Sequence, residues 1–373
     1  MNSYQDSESG SITQRILESI RLDPMLIFLI SLLVLLGVFV VFSASGENTA
    51  LLERHAYRIG LATFLLIVVA NIALRWLQAG TFFFYLLGVG LLVAVIFFGE
   101  IGKGAQRWIN FGFIRFQPSE ILKLAVPMMV AYYLSDKILP VGLKDLMVSL
   151  LIVFIPVLLI AKQPDLGTAI LVGSAGFFVL FIAGIRWRIL IMMTLILLIT
   201  APVLWKYALH DYQKTRIMTM LDPESDPLGS GYHIIQSKIA IGSGGTYGKG
   251  WLNGTQSQLD FLPERSTDFI FAVFSEEFGF IGVILLLILY LLIILRGLVI
   301  AAHANNTFGR LLAGALSMTF FVYLFVNTGM VSGLLPVVGV PLPLVSYGGT
   351  SIVTLMIGFG MIMSIRSSKR FLE

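Results

Sequence analysis

The sequence predicts an all-α membrane protein: a polytopic bundle of about ten transmembrane helices with one large extracytoplasmic loop between spans seven and eight. The chain of 373 residues is 57% hydrophobic and only 12% charged, whereas soluble domains carry about 25% charged residues. Its mean hydropathy is +0.91, and its apolar runs have the length of roughly 20 residues that a helix needs to cross a bilayer. A transmembrane barrel would instead show strands of about 10 residues with alternating polarity.

Charged or Gly/Pro-containing segments separate the apolar runs. The predicted spans cover residues 25–44, 57–74, 82–99, 119–135, 146–161, 165–184, 187–205, 269–295, 310–331 and 342–365. The whole chain, 1–373, is expected to form one membrane domain with a flexible cytoplasmic tail over 1–22. Because the number of spans is even, both termini are predicted to lie on the same side.

The charge distribution predicts the orientation of the bundle. Lys and Arg accumulate on cytoplasmic loops, and the segments on the side of the termini hold more of them than the short loops on the other side. Both termini are therefore predicted to be cytoplasmic, and the large loop 206–268 is predicted to lie outside. A loop of this length is usually functional.

Two stretches of this loop have a recognisable character. GYHIIQSKIAIG (231–242) fits an amphipathic helix lying at the membrane interface. GSGGTYGKGWLNG (242–254) is rich in glycine and must turn tightly. It does not match the phosphate-binding pattern G-x-x-x-x-G-K-[ST], because Ser243 and Gly250 occupy two of the required positions.

Composition excludes several kinds of chemistry. The chain has no cysteine, so it has no disulfide, thiolate nucleophile or cysteine–metal site. Its four histidines lack metal-ligand spacing. The net charge of +4 is too small and too dispersed to indicate binding to nucleic acid.

Asp268 is the first candidate functional residue. It stands in FLPERSTDFIFAV (261–273), where a polar stretch runs directly into an apolar span. A carboxylate at a helix start often caps the helix and interacts with its dipole, and local sequence alone favours that role. Ionisable groups at membrane depth are costly, however, and usually functional.

Lys123 is the second candidate. It lies inside the fourth predicted span and shares a helix face with Ser119 and Glu120. The lysine can reach towards the interface or pair with Glu120. Its span begins on the same side as Asp268, so Lys123 can also pair with that aspartate and keep it ionised.

Further charged residues belong to the same side of the bundle. Asp165 begins the sixth span and can serve as a helix cap. Arg107 and Arg115 lie in the loop before the fourth span. These arginines can bind phosphate, or they can belong to a solvated loop anchored at the interface by Trp108.

Two other regions are less specific. Glu276 lies eight residues after Asp268, about 12 Å along a helix, which is too far for the carboxylate pair of a glycosidase. The stretch PVVGVPLPLVSYGGTS (336–351) favours either close helix packing or an irregular segment that lines a cavity. Taken together, the charges suit either an enzyme acting on an anionic lipid-linked substrate or a proton-coupled transporter.

The order of the motifs adds a resemblance to a known family. GAQRW, QPSEILKLAVP, QPDLGT, FLPERSTDFIFAV, EEFGFIG and PLPLVSYGGTS follow one another across the ten predicted spans. In this order they resemble the SEDS proteins, which act in shape, elongation, division and sporulation. GAQRW, the arginine after Pro-Glu and the short N-terminal tail favour the elongation branch over the division branch.

The resemblance implies a peptidoglycan glycosyltransferase of the bacterial cytoplasmic (inner) membrane. It implies lipid II as substrate, undecaprenyl pyrophosphate as leaving group and a class B penicillin-binding protein as partner. Asp268 is then the essential acidic group, with Lys123 as a second catalytic residue. The implied substrate-binding residues are Glu120, Arg107, Arg115, Asp165, Glu264, Arg265 and Ser346.

One departure from the family pattern bears on the mechanism. Members commonly carry histidine before Thr-Asp, whereas this chain has Ser266, so Asp268 is left as the general base. No cofactor is firmly implied, although a divalent cation such as Mg or Mn could assist the leaving group. The alternatives are a lipid II flippase, or a scaffold that only recruits a penicillin-binding protein.

Overall fold

The computed structural model describes residues 21–102, 105–110, 115–208, 211–226, 229–258, 262 and 264–368. Most of the predicted tail, residues 1–20, lies outside this range. The described helices are α1 (Pro24–Ala44), α2 (Thr49–Asn71), α3 (Leu74–Phe98), α4 (Pro118–Ser135), α5 (Leu143–Lys162), α6 (Leu166–Ile182), α7 (Trp187–Val203), α8 (Asp211–Leu221), α9 (Ser230–Ser243), α10 (Thr255–Gln258), α11 (Ile270–Ala302), α12 (Thr307–Val331) and α13 (Gly349–Ser367).

Each predicted span overlaps one of these helices. Within the described part of the chain, seven helices are long and apolar enough to cross a membrane. The chain is therefore a multi-pass helical membrane protein, as its composition predicts. Of the other three overlapping helices, α6 is apolar but only 17 residues long, while α2 and α4 carry charged residues.

Four helix boundaries differ from the prediction by seven or eight residues. Helix α3 begins at Leu74 rather than 82, and α11 ends at Ala302 rather than 295. Helix α2 begins at Thr49 rather than 57, because Glu53 and Arg54 in its first turns lower the hydropathy without breaking the helix. Helix α13 begins at Gly349 rather than 342. The preceding residues 332–348 contain no helix, so the small-residue stretch near the C-terminus is an irregular segment for most of its length.

A small antiparallel sheet lies between α3 and α4, and the all-α prediction missed it. Its strands β1 (Glu100–Gly102), β2 (Ala105–Asn110) and β3 (Arg115–Phe116) follow sequence order. Ile109 of β2 pairs with Phe116 of β3. The strands are too short to give a clear alternating pattern, but they fix the position of Arg107 at the start of α4.

Helix α12 forms the centre of the bundle. Of its most apolar stretch, 78% is buried, and it packs against α4, α6, α11 and α13. Helix α7 is the opposite case, since none of its apolar stretch is buried. A helix that is apolar all round and unburied fits a lipid environment.

The region 206–268 contains helices rather than an open loop. Helix α9 confirms the predicted helix over 231–242. It packs against α11 and α12, and the Ser237 hydroxyl donates a 2.7 Å hydrogen bond to the Val331 carbonyl. Trp251 lies against the Phe39 and Phe42 rings of α1. This region is thus packed on one end of the bundle.

A buried charge cluster ties together the opposite end. The Asp23 carboxylate is fully buried and caps α1 through the Leu26 amide at 2.7 Å. It also pairs with Arg296 of α11 at 2.7 Å and with Arg366 of α13. The start of α1 and the ends of α11 and α13 therefore meet at one face.

We expect Asp23→Asn to destabilise the protein by about 1.5–3 kcal/mol, the usual contribution of a hydrogen bond to a charged group. The amide still caps α1 but cannot neutralise two guanidinium groups. The apparent melting temperature in detergent measures the effect. Asp211→Asn is the control, because the Asp211 side chain is fully exposed. Equal melting temperatures for the two variants would contradict the cluster's structural role.

Candidate active site

Asp268 lies just before helix α11 and does not cap it. The helix begins at Ile270, its N-cap residue is Phe269, and no side chain provides a cap hydrogen bond. The local explanation for this aspartate, which the sequence alone favours, is therefore not the one that the structure supports. Asp268 is partly exposed, as a carboxylate that meets a substrate must be.

Three hydrogen bonds hold the backbone around Asp268. The carbonyl oxygens of three consecutive residues, Ser266, Thr267 and Asp268, each accept a bond from the bundle. The donors are the Tyr347 amide at 2.8 Å, the Ser346 hydroxyl at 2.6 Å and the Asn327 side-chain amide at 2.8 Å. The segment that carries the carboxylate is thereby fixed to α12 and to the irregular segment 332–348.

Asn327 and Gly339 set the surroundings of the carboxylate. The fully buried Asn327 amide also donates to the Val340 carbonyl at 2.7 Å, so one side chain joins Asp268 to the irregular segment. Gly339 adopts φ of +75°, and a Cβ there would lie 3.3 Å from the Asp268 Oδ2 atom. A side chain at this position would be strained and would crowd the carboxylate.

A second carboxylate lies in a tight polar cluster. Asp165 caps α6 by accepting from the Thr168 amide at 3.3 Å. It also accepts from the Gln117 side-chain amide at 2.9 Å and pairs with Arg107 at 3.7 Å. The Arg107 guanidinium donates to the Pro164 carbonyl as well. The helix-cap explanation of Asp165 is correct, and the carboxylate in addition orients Arg107.

Arg216 joins this cluster from the large loop. Burial is the main cause that lowers the pKa of this guanidinium, and Arg107 lowers it further. The pKa is raised in turn by the negative charges of Asp165 and Asp268 and by Tyr212. Arg216 therefore interacts electrostatically with both carboxylates and with the Arg107 guanidinium.

Lys123 pairs with Glu120 and not with Asp268. Its ammonium lies 2.6 Å from a Glu120 oxygen, and both side chains are nearly buried. It also lies 5.2 Å from the centre of the Tyr323 ring. The expected pairing of Lys123 with Asp268 is therefore wrong, because the nearer carboxylate on the same helix face satisfies the lysine.

The remaining predicted residues have different surroundings. Glu264 is exposed and accepts from the Thr267 hydroxyl at 2.8 Å. Arg265 points to the turn after α1, where its Nη2 atom lies 3.6 Å from the position of a Cβ on Gly46. Ser346 is buried, donates to Thr267 and accepts from the Leu342 amide, which favours positioning over substrate contact. The side chain of Arg115 lies outside the described residues.

Glu276 and Glu277 bond other segments of the chain. Glu276 accepts hydrogen bonds from the large loop, including one from Lys249 at 2.7 Å. Glu277 accepts from the Ser43 hydroxyl of α1. In the part of the chain that the structure describes, no three His, Asp or Glu residues form a group that could hold a metal ion.

The fold and this site define a class: a multi-pass helical membrane protein with a polar, partly open centre at one end of an apolar bundle. The FtsW/RodA/SpoVE family, described as cell cycle proteins, matches residues 23–371. The chain belongs to this family, and the resemblance seen in the motifs is confirmed.

Individual relatives support the elongation branch. Peptidoglycan glycosyltransferase MrdB of Escherichia coli K12 is 53% identical over 356 residues, covering 95% of this chain and 96% of that protein. MrdB of Helicobacter pylori is 40% identical, covering 91% and 88%. A probable peptidoglycan glycosyltransferase FtsW of Geobacter metallireducens is 37% identical, covering 92% and 94%.

Solved structures share the fold. A chain from a structure reported as "Structural coordination of polymerization and crosslinking by a peptidoglycan synthase complex" has a TM-score of 0.81 and 33% identity, covering 92% of this chain and 97% of that one. The rod shape determining protein RodA of Thermus thermophilus has a TM-score of 0.70 and 28% identity, covering 92% and 96%.

We expect Asn327→Leu to destabilise the protein by about 1–3 kcal/mol for each buried carbonyl left without a donor. Leucine has the same branched arrangement of side-chain heavy atoms but cannot donate to the carbonyls of Asp268 and Val340. The apparent melting temperature measures the loss. Asn71→Leu is the control, since that amide bonds a carbonyl at an exposed helix end. A drop no larger than that of the control would show that the Asn327 bonds carry little stability.

Proposed function

We propose that this protein is a peptidoglycan glycosyltransferase that polymerises lipid II into glycan strands during cell elongation and rod-shape maintenance. The names of its MrdB relatives support the activity, and the name of the Thermus thermophilus RodA supports the role in rod shape. The observation that carries the proposal is the fixed position of Asp268, whose backbone and two preceding carbonyls are held by Asn327, Ser346 and Tyr347.

Asp268 acts as the general base in this mechanism. Its carboxylate takes the proton from the sugar 4-hydroxyl of the acceptor lipid II. The hydroxyl oxygen forms a bond to the anomeric carbon of the growing chain, and the bond from that carbon to the pyrophosphate oxygen breaks. A single displacement inverts the configuration at the anomeric carbon. A base held in position contributes typically 10²- to 10⁴-fold, roughly, to such a step.

The cationic groups near Asp268 assist the departure of undecaprenyl pyrophosphate. Arg107, which is oriented by Asp165 at 3.7 Å, and Arg216 can neutralise the negative charge that develops on the leaving group. Arg115 and Arg265 are further candidates for this role. A divalent cation such as Mg or Mn, if the pyrophosphate carries one, would add positive charge at the same oxygens.

Lys123 and Glu120 contribute to this reaction from helix α4. They form a buried pair, so the lysine does not set the charge of Asp268 by direct contact. Their place on α4, next to the strand that carries Arg107, suits the polar part of the donor substrate. Glu264 is exposed at the entrance to the site and suits contact with the acceptor.

The proposed topology has ten spans with both termini in the cytoplasm and region 206–268 outside. The Asp23 cluster supports it, because the start of α1 and the ends of α11 and α13 meet at one face. Asp268 stands before the opposite end of α11. Lipid II is then polymerised at the outer face of the bacterial inner membrane.

A class B penicillin-binding protein is the proposed partner. The structural relative reported as a peptidoglycan synthase complex supports this proposal, since its description joins polymerisation to crosslinking. A polymerase that delivers its strand to a crosslinking enzyme on the same membrane face gains from forming a complex, because the second step then becomes effectively intramolecular.

We expect Asp268→Asn to lower the rate of lipid II polymerisation about 10²- to 10⁴-fold, the usual contribution of a general base. The amide keeps the shape of the side chain but cannot accept the proton. The assay uses purified protein with its penicillin-binding partner, labelled lipid II and blocked transpeptidation, and it reads glycan polymer on a gel. Asp211→Asn, which alters an exposed carboxylate of the same region, serves as control.

Polymer from Asp268→Asn at the rate of the control would rule out Asp268 as the base. If wild-type protein with its partner makes no polymer, the glycosyltransferase proposal fails. Transport of labelled lipid II across vesicle membranes would then test the flippase alternative.

A further inference from the structure

Helix α11 is broken at Gly279, where φ is +64° and ψ is −165°. A break leaves backbone amides and carbonyls without their partners in the helix. The glycine-rich segment, residues 244–256, supplies those partners. The bonds run from Phe280 N to Gly245 O at 2.9 Å, from Ile281 N to Thr246 O at 3.1 Å, from Lys249 N to Glu276 O at 3.0 Å and from Gly250 N to Glu277 O at 3.0 Å.

The closeness of the two backbones explains the glycines. Gly248 has φ of +79°, and a Cβ on it would lie 2.1 Å from the Glu277 carbonyl oxygen. A Cβ on Gly244 would lie 2.1 Å from the Ser275 carbonyl oxygen. Only glycine permits this approach. The glycine-rich segment is therefore a backbone insert that completes a broken helix.

Glu276 accepts hydrogen bonds from three polar groups of the same segment. Its carboxylate is fully buried. It accepts from the Lys249 ammonium at 2.7 Å, from the Thr255 hydroxyl at 2.9 Å and from the backbone amide of Gln256 at 3.1 Å. The Lys249 side chain keeps 28% exposure, so the ion pair lies at the edge of the buried region. A single carboxylate thus holds both ends of the stretch 249–256.

The helix segment between Glu276 and Asp268 is short and rigid. Residues 270–277 are all buried. A change in the position of Glu276 relative to the loop must therefore be carried to the first turn of α11, next to Asp268. The backbone carbonyls of residues 266–268 accept hydrogen bonds from α12 and from the irregular segment, and Glu276 adds a link from α11 to the glycine-rich segment.

We propose that Glu276 is a positioning residue for Asp268, which it holds in place by locking the glycine-rich segment into the break of helix α11. This inference rests on the glycosyltransferase function proposed above. Glu276 touches neither substrate nor reacting atoms. Its effect is expected in the catalytic step rather than in substrate binding, because a shift of about 1 Å in a catalytic group can cost about 10²-fold in rate.

The first test removes one charge of the Glu276–Lys249 ion pair at a time. Glu276→Gln keeps the shape of the side chain, and Lys249→Met removes the partner from its partly exposed position. We expect each variant to lower kcat for lipid II about 10- to 100-fold, with KM changed less than about twofold. Lys249→Arg, which retains the ion pair, should restore most of kcat. If Glu276 had only a structural role, the variants would give less folded protein, but kcat per folded molecule would equal that of wild type. Lys249→Arg would then have no loss of kcat to restore.

The second test uses a matched pair of glycines. Gly248→Ala places a methyl group against the Glu277 carbonyl and should lower kcat as Glu276→Gln does. Gly242→Ala is the control, because a Cβ there meets nothing within 4 Å. Wild-type kcat in Glu276→Gln, Lys249→Met and Gly248→Ala would overturn the proposal, as would a rise in KM with kcat unchanged.

A third measurement needs no substrate. Amide hydrogen exchange of residues 244–256 should be faster in Glu276→Gln and Gly248→Ala than in wild type and Gly242→Ala. If wild-type protein makes no polymer, the glycosyltransferase proposal fails, and unchanged exchange in the variants would separately refute the lock. If polymer forms but exchange in the variants equals wild type, the lock alone is refuted.

Discussion

The need to satisfy non-helical backbone inside an apolar bundle is the constraint on which the rest of this structure depends. In a membrane, irregular backbone survives only where protein groups bond its amides and carbonyls. Two irregular segments meet this condition here. The segment 332–348 donates to the carbonyls of Ser266 and Thr267, while Asn327 of α12 donates to the carbonyl of Asp268. The glycine-rich segment bonds the groups freed at Gly279. The site exists because these two segments pack on the same end of α11.

The charged residues also gather at the two ends of the bundle, and they have a different role at each end. At one end, Asp23 neutralises Arg296 and Arg366 and is fully buried, which suits a structural joint. At the other end, Asp268 is partly exposed and Arg107 keeps 27% side-chain exposure. Charges that remain open to solvent cost less to maintain and stay available to a charged substrate. The two ends therefore differ in function although both are built from carboxylates and arginines.

The sequence predicts the ten helical segments and the main acidic residues because these depend on local hydropathy and on helix starts. It does not predict partners that meet through the fold. Arg216 lies in the short helix α8 and carries no local signal, and its interactions with Asp165 and Asp268 follow only from the fold. Asn327 does leave a signal, since a lone amide in an apolar span is usually functional. Lys123 shows that a similar predicted depth in the membrane does not establish an ion pair, because Lys123 pairs with the nearer Glu120 rather than with Asp268.

The interior beneath the site bears on the choice between enzyme and transporter. A transporter of a polar headgroup needs a polar path through the bundle, lined from one face to the other. Below Lys123, the described residues enclose a cavity of only about 20 Å³, room for about one water molecule. Its walls are mainly apolar, with Leu316, Phe320 and Phe359 among them. A cavity of this size is too small for a polar headgroup, which favours an enzyme over a transporter.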